Sequence, residues 1–132
     1  MTSTPATRSH LSIAADWTRM WNREIPAEGL VVSDALVHFG RTPPSPRPAT
    51  TTGPAELQTV VDGIGTAVDG VVYAVQGDPV LDQEGRRITI VWSVGATDLA
   101  PRTGIDVLLL DDQGRIAEVW SVTGDILLPP LR

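Results

Sequence analysis

The chain has no lysine and no cysteine. Without lysine, Schiff-base catalysis through a side chain is excluded. Without cysteine, thiol nucleophiles, disulfides and thiolate metal sites are excluded as well. Histidine is nearly as scarce, with only His10 and His38, and His10 lies in a polar N-terminal stretch. A histidine-rich metal centre is therefore not expected. Basic clusters are missing too: the 10 positive residues are scattered arginines against 16 acids, for a net charge of -6. That balance argues against nucleic acid or an anionic membrane as the main partner. No apolar run reaches membrane-spanning length, and the opening MTSTPATRSH lacks the charged-then-apolar layout of a secretory signal. A cytoplasmic location is the expectation.

What remains fits one folded domain. The chain has 132 residues, 42% hydrophobic and 20% charged, enough to bury a sizeable core. A single domain over 1–132 is expected, with 1–9 as a flexible tail. From about Ser9 to Arg23, Leu11, Ala14, Ala15, Trp17, Met20 and Trp21 recur at helical spacing, and Pro26 stops the pattern. PAEGLVV predicts one short helical turn, and DALVHF (Asp34 to Phe39) a strand. Along it Ala35, Val37 and Phe39 share one side, and Leu36 and His38 the other. The stretch from Gly40 to Gly53, with Pro43, Pro44, Pro46 and Pro48, reads as an ordered loop or a flap over a pocket. GPAELQTVVDGI predicts a second helix, with Pro54 at its first position and Leu57, Val60, Val61 and Ile64 as its buried stripe.

After Gly70 the pattern turns to strands: VVYAVQ, then RRITIVWSVGA, IDVLLL and RIAEVWSVTG, separated by DQEG, TDLAPRTG and DDQG. Helices followed by antiparallel strands indicate an α+β domain, its sheet wrapped around the helices. Asp106 is the odd residue. Ile105, Val107 and Leu109 point one way, and Asp106, Leu108 and Leu110 the other, so the strand is apolar on both faces and both look covered. A carboxylate is costly to bury alone, so Asp106 should be paired, protonated or lining a cavity.

Four stretches, WTRMWN (17–22), ALVHFG (35–40), GPAEL (53–57) and GIDVLLLDDQGRIAEVWSV (104–122), resemble the nuclear transport factor 2-like superfamily. The likeness is closest to its SnoaL-like polyketide cyclase and ketosteroid isomerase branch, and spans roughly Leu11 to Gly124. It implies a cone in which a curved antiparallel sheet closes over N-terminal helices around a deep apolar pocket, often as a dimer. In ketosteroid isomerases an aspartate matching Asp106 stays protonated and hydrogen-bonds the developing oxyanion. The rest of that site differs here. Trp17 stands where the family has a tyrosine, and the isomerase base falls at or beside His38 and Phe39. The cyclase pair of histidine and acid matches Asp106 and Ser121. The epoxide hydrolase relay matches Val122 at its last aspartate, and Arg87, Ile88 and Thr89 at its Arg-x-Asp motif.

Candidate site residues follow. Asp106 is a neutral pocket acid, or else a structural carboxylate paired with Arg102 or Arg87 or capping a turn. His38 is a general base, or else a strand histidine with one satisfied nitrogen. Trp17, Trp21, Phe39, Tyr73, Trp92 and Trp120 are pocket-lining candidates, with core packing as the ordinary role of such residues. Ser121 and Thr123 share a face, but no histidine–acid pair is spaced to activate either. DDQG and DQEG lack calcium-loop spacing. With no glycine-rich phosphate loop or metal constellation, no cofactor is expected. The expected function is a small enzyme performing isomerisation, cyclisation or acid–base chemistry on an apolar ketone or epoxide. The alternative is a non-catalytic module that binds a hydrophobic ligand or dimerises. The expected partners are an apolar small molecule and a second copy of the chain, joined through the outer sheet face.

Overall fold

The computed structural model of the protein describes residues 9–40 and 49–130. Residues 1–8 of the expected flexible tail and most of the proline-rich segment lie outside them, whereas residue 9, expected in that tail, belongs to the start of the first helix. Helix α1 spans His10–Trp21, and Ser9 caps it by accepting a hydrogen bond from the Ser12 amide at 3.1 Å. Its stripe of Ile13, Ala14, Trp17, Met20 and Trp21 is buried. Asn22, just past its end, exchanges two hydrogen bonds with the Tyr73 backbone, at 2.9 and 2.8 Å. Those bonds tie the end of α1 to the far edge of the sheet.

The strands are β1 (Val31–Phe39), β2 (Thr50–Thr52), β3 (Val72–Val75), β4 (Val80–Leu81), β5 (Arg87–Ala96), β6 (Leu99–Leu110) and β7 (Ile116–Thr123). Helix α2, Gly53–Ala67, lies between β2 and β3 in the chain. The sheet order is β2-β1-β7-β6-β5-β3, with β4 also pairing β5. Helix α1 packs on β3 and β5, and α2 on β1 and β2. Both helices and the inner sheet face share one core. This is an α+β cone with a curved, unclosed sheet.

Several expectations are corrected. The sheet is mixed rather than wholly antiparallel, because β1 and β7 run parallel. A parallel pair needs a long crossover, and everything between Phe39 and Ile116 supplies it. PAEGLVV forms no helical turn: Leu30 N–H closes a tight turn onto the Ala27 carbonyl at 3.1 Å, and β1 begins at once. Gly29 adopts φ 84° there, a conformation a side chain resists. Part of the expected loop is the edge strand β2. TDLAPRTG is mostly strand, since β6 begins at Leu99. Pro101 is tolerated because β7 pairs with β6 only from Gly104 onward, so no ladder amide is needed at Pro101 on that side.

The two faces of β6 also differ more than its apolar sequence suggests. Asp106, Leu108 and Leu110 are buried, whereas Ile105 is exposed and Val107 and Leu109 are half-buried. Trp120 and Val122 on β7 are exposed as well. The outer sheet face of the single chain is therefore apolar and open.

Candidate active site

Strand register places the site. Phe39 pairs with Ser121, Ser121 with Asp106, and Asp106 with Ile90, giving one row across four strands. The neighbouring inward row runs Val37, Val119, Leu108, Ile88, and each of these is at most 1% exposed. On the other side, Thr123 pairs with Gly104 and Gly104 with Trp92. Asp106 is thus a lone carboxyl on the inner face, between an aliphatic floor and a tryptophan.

Its partner is Trp17. The indole Nε1–H donates to Asp106 Oδ2 at 2.8 Å, with Trp17 1% and Asp106 3% exposed. The other oxygen, Oδ1, is buried and accepts no hydrogen bond from the described residues. Burial holds the Asp106 carboxyl above its usual pKa; Ser121, Trp17 and Trp92 pull the other way and do not outweigh it. The Ser121 hydroxyl and the Trp92 indole are near enough to favour the charge without reaching hydrogen-bond geometry. No arginine pairs with Asp106 among the described residues. Arg87, one of the expected partners, is bound to Asp82 at 3.3 Å instead.

Around this carboxyl the aromatic rings touch in sequence. Trp17 meets Trp21 edge-on at 6.0 Å, and Trp21 meets Phe39 at 6.2 Å and Tyr73 at 5.5 Å. Tyr73 then meets Trp92 at 5.7 Å. Five of the six lining candidates therefore form one cluster. Trp120 does not join it. It pairs with Val107 and His38, in the row that faces outward, and is 43% exposed.

His38 shares that outward row. Its Nε2 lies 2.6 Å from Glu118 Oε2, its Nδ1 lies 3.2 Å from Thr50 Oγ1, and its ring lies tilted against Trp120 at 5.8 Å. Adjacent strand residues face opposite ways, so Phe39 takes the inward place and His38 does not approach Asp106.

Among the described residues no group of three histidine, aspartate or glutamate side chains could hold a metal. No described helix is long and apolar enough to cross a membrane. An open groove near the β6–β7 turn is lined by Glu28, Val31, Asp34, Asp111 and Arg115, and includes none of the Asp106 cluster. Sequence reasoning missed Asn22 and treated Ser121 only as a nucleophile or a family match. Counting register back from the DDQG turn would have set Trp120 opposite Asp106; an irregularity between Leu109 and Leu110 shifts the ladder by one residue and brings Ser121 there instead.

No family model and no curated protein matches the sequence. Solved structures do. A protein from Agrobacterium tumefaciens described as an isomerase of the SnoaL-like family superposes with a TM-score of 0.72 at 19% identity, covering 87% of this chain and 97% of that one. An NTF2-like protein of unknown function from Mesorhizobium loti gives 0.66 at 22% identity, over 94% and 99%. A steroid delta-isomerase from Pseudomonas aeruginosa gives 0.59 at 18% identity, over 92% and 84%. The chain shares its fold with these structures, an NTF2-like protein and a protein of the SnoaL-like family among them.

Proposed function

We propose that the protein is a cofactor-independent enzyme acting on an apolar, oxygen-bearing small molecule, with Asp106 as its neutral acid. The observation that carries this reading is a carboxyl 3% exposed, free of any ion pair among the described residues, with one oxygen on an indole and the other unpartnered. A purely structural cone has no need of such a group, because an apolar residue there would avoid its desolvation. Isomerases among the structural neighbours add support at the level of reaction class.

A neutral carboxylic acid donates a hydrogen bond or a proton to a ketone or epoxide oxygen. That activates the adjacent carbon toward water, or toward a nucleophile carried by the substrate, giving hydration or cyclisation. Isomerisation follows if Asp106, having given its proton to a ketone oxygen, takes a proton from the carbon beside the carbonyl, which forms the enol and restores the acid. Trp17, Trp21, Tyr73 and Trp92 supply the apolar surroundings that hold the substrate and exclude water.

A second reading is a non-catalytic module, binding a hydrophobic ligand or dimerising. It is favoured by the inner rows, which bring no histidine and no second carboxylate to Asp106. Dimerisation would use the outer face of Ile105, Trp120 and Val122.

A thermal-shift and turnover screen separates the two, using wild type and Asp106→Asn against apolar ketones, epoxides and lactones. A saturating ligand, at about a hundred times its dissociation constant, adds about 2.7 kcal/mol. The enzyme reading expects shifts with oxygenated ligands that Asp106→Asn loses, and product from the same compounds. Shifts that persist in the mutant, without product, establish the module instead.

A further inference from the structure

We infer that Trp17 is a positioning residue for Asp106: by donating to Oδ2 it assigns the acid proton to Oδ1, the oxygen left to meet a ligand. The inference rests on the reading of Asp106 as a neutral acid. Its logic is one of donors and acceptors. A protonated carboxyl has one O–H and one carbonyl oxygen, whereas an indole nitrogen can only donate. Of the two oxygens of an acid the carbonyl one is the stronger acceptor, so the oxygen 2.8 Å from Trp17 Nε1 is assigned as the carbonyl and the proton to the other. That other oxygen is the buried one with no hydrogen-bond partner among the described residues.

The indole is itself held rigidly. Trp17 is 1% exposed and braced edge-on by Trp21, and Asn22 pins the end of α1 to Tyr73. Asp106 is thereby prevented from turning its proton toward the helix, so its O–H has one direction. The one polar hydrogen that Trp17 offers from α1 is thus spent on the acid. Substrate oxygen then receives its hydrogen bond from Asp106 rather than from α1.

The surroundings make the consequence readable by pH. From α1 the carboxyl faces Trp17, from β5 Ile90 and Trp92, from β7 Ser121, and by register Phe39 of β1 shares its row. None of these carries a charge. The nearest titratable group in the cluster is Tyr73 of β3, in ring contact with Trp92. Asp16, next to Trp17 in sequence, is ion-paired with Arg19. The indole N–H favours the carboxylate over the acid, so removing it should raise the pH at which Asp106 ionises.

The test is infrared titration of Trp17→Phe and of a second variant with benzothienylalanine at position 17, which replaces the N–H by sulfur at nearly unchanged shape. Above about pH 6 ordinary carboxyl groups are ionised, so a remaining acid C=O band, absent in Asp106→Asn, belongs to Asp106. With the hydrogen bond to the carbonyl oxygen removed, that band should move to higher frequency and persist to higher pH than in wild type. A role for Trp17 in packing alone would leave both unchanged. An unmoved band and midpoint in either folded variant overturns the inference while sparing the neutral acid. A wild-type protein with no acid band above pH 6 overturns both.

Discussion

His38 and Asp106 stand on opposite faces of one sheet: His38 pairs with Trp120 in the outward row, and Asp106 pairs with Ser121 in the inward one. A sheet separates them, so a proton cannot pass between them through a shared substrate. His38→Ala should leave ligand binding at Asp106 within about twofold of wild type. Its effect on stability should stay under about 1 kcal/mol, since the contact with Glu118 joins two side chains 33% and 28% exposed. Calorimetric titration and thermal melting check the two halves. A large loss of binding would put His38 back in the site.

The raised pKa of Asp106 makes a prediction with a definite sign. The folded state holds this proton more tightly than the unfolded chain, whose carboxyl has the ordinary value of 3.8. The resulting stability is fully present below that value and is lost as pH rises through the folded pKa. Asp106→Asn, which never ionises, escapes the loss. The mutant should match wild type near pH 4 and melt increasingly above it as pH rises toward 8. Were Asp106 a structural anion, the mutant would instead be the less stable protein at neutral pH. Melting temperatures of the pair across that range decide it.

At the β4–β5 turn the pH dependence has the opposite sign. The backbone amides of Arg87 and Arg86 donate to Asp82 and hold its carboxyl below the usual value, helped by the Arg87 guanidinium. This support is present above the unfolded pKa and is lost as pH falls through the folded one. Asp82→Ala should therefore speed amide exchange at Arg86 and Arg87 at pH 7, and the difference from wild type should shrink as pH falls below the ordinary carboxylate range. An exchange rate unchanged at pH 7 would remove the turn-capping role.

How much of this was legible beforehand depended on what kind of signal each feature leaves. The alternation of β1 and β5 carries its burial in its periodicity and was readable; the stripe of α1 was readable at Ala14, Trp17, Met20 and Trp21, whereas Leu11 and Ala15 are exposed and the buried Ile13 was missed. The position of Asp106 within an apolar strand was readable for the same reason. Its indole partner was not, because the contact with Trp17 spans 89 residues and depends on where a helix lands on a sheet. The parallel pairing of β1 with β7 was hidden likewise, since local sequence says nothing about which distant strand becomes a neighbour. Pro101 misled, as a breaker reads the same whether or not its amide would have been needed. His38 and Phe39 could not be sorted from sequence alone, because alternation gives two faces without saying which is inner.

On the outer face, the exposed Ile105, Trp120 and Val122 lead to a prediction about assembly. If a second copy covers this face, Trp120→Glu places a charge at its centre, where desolvation and self-repulsion both oppose association. The sedimenting mass should fall from that of a dimer to that of one chain, with the fold retained by circular dichroism. A wild-type protein that already sediments as one chain would instead leave this face for a different partner.

Gly104 offers the most direct structural probe of the inner face. It pairs across the sheet with Trp92, whose ring lies over it so closely that an added Cβ would overlap the indole. The ring cannot slide freely, being packed against Tyr73 at 5.7 Å. Gly104→Ala should therefore push Trp92 off its place and destabilise the fold by about 1–3 kcal/mol, the usual cost of overpacking a core. Trp92 is also one of the groups acting on the Asp106 carboxyl, and its displacement removes an influence that favours the charge. The acid band of Asp106 should then persist to higher pH in Gly104→Ala than in wild type, alongside the loss of stability. Destabilisation with an unmoved titration would mean that Trp92 packs beside the acid without tuning it.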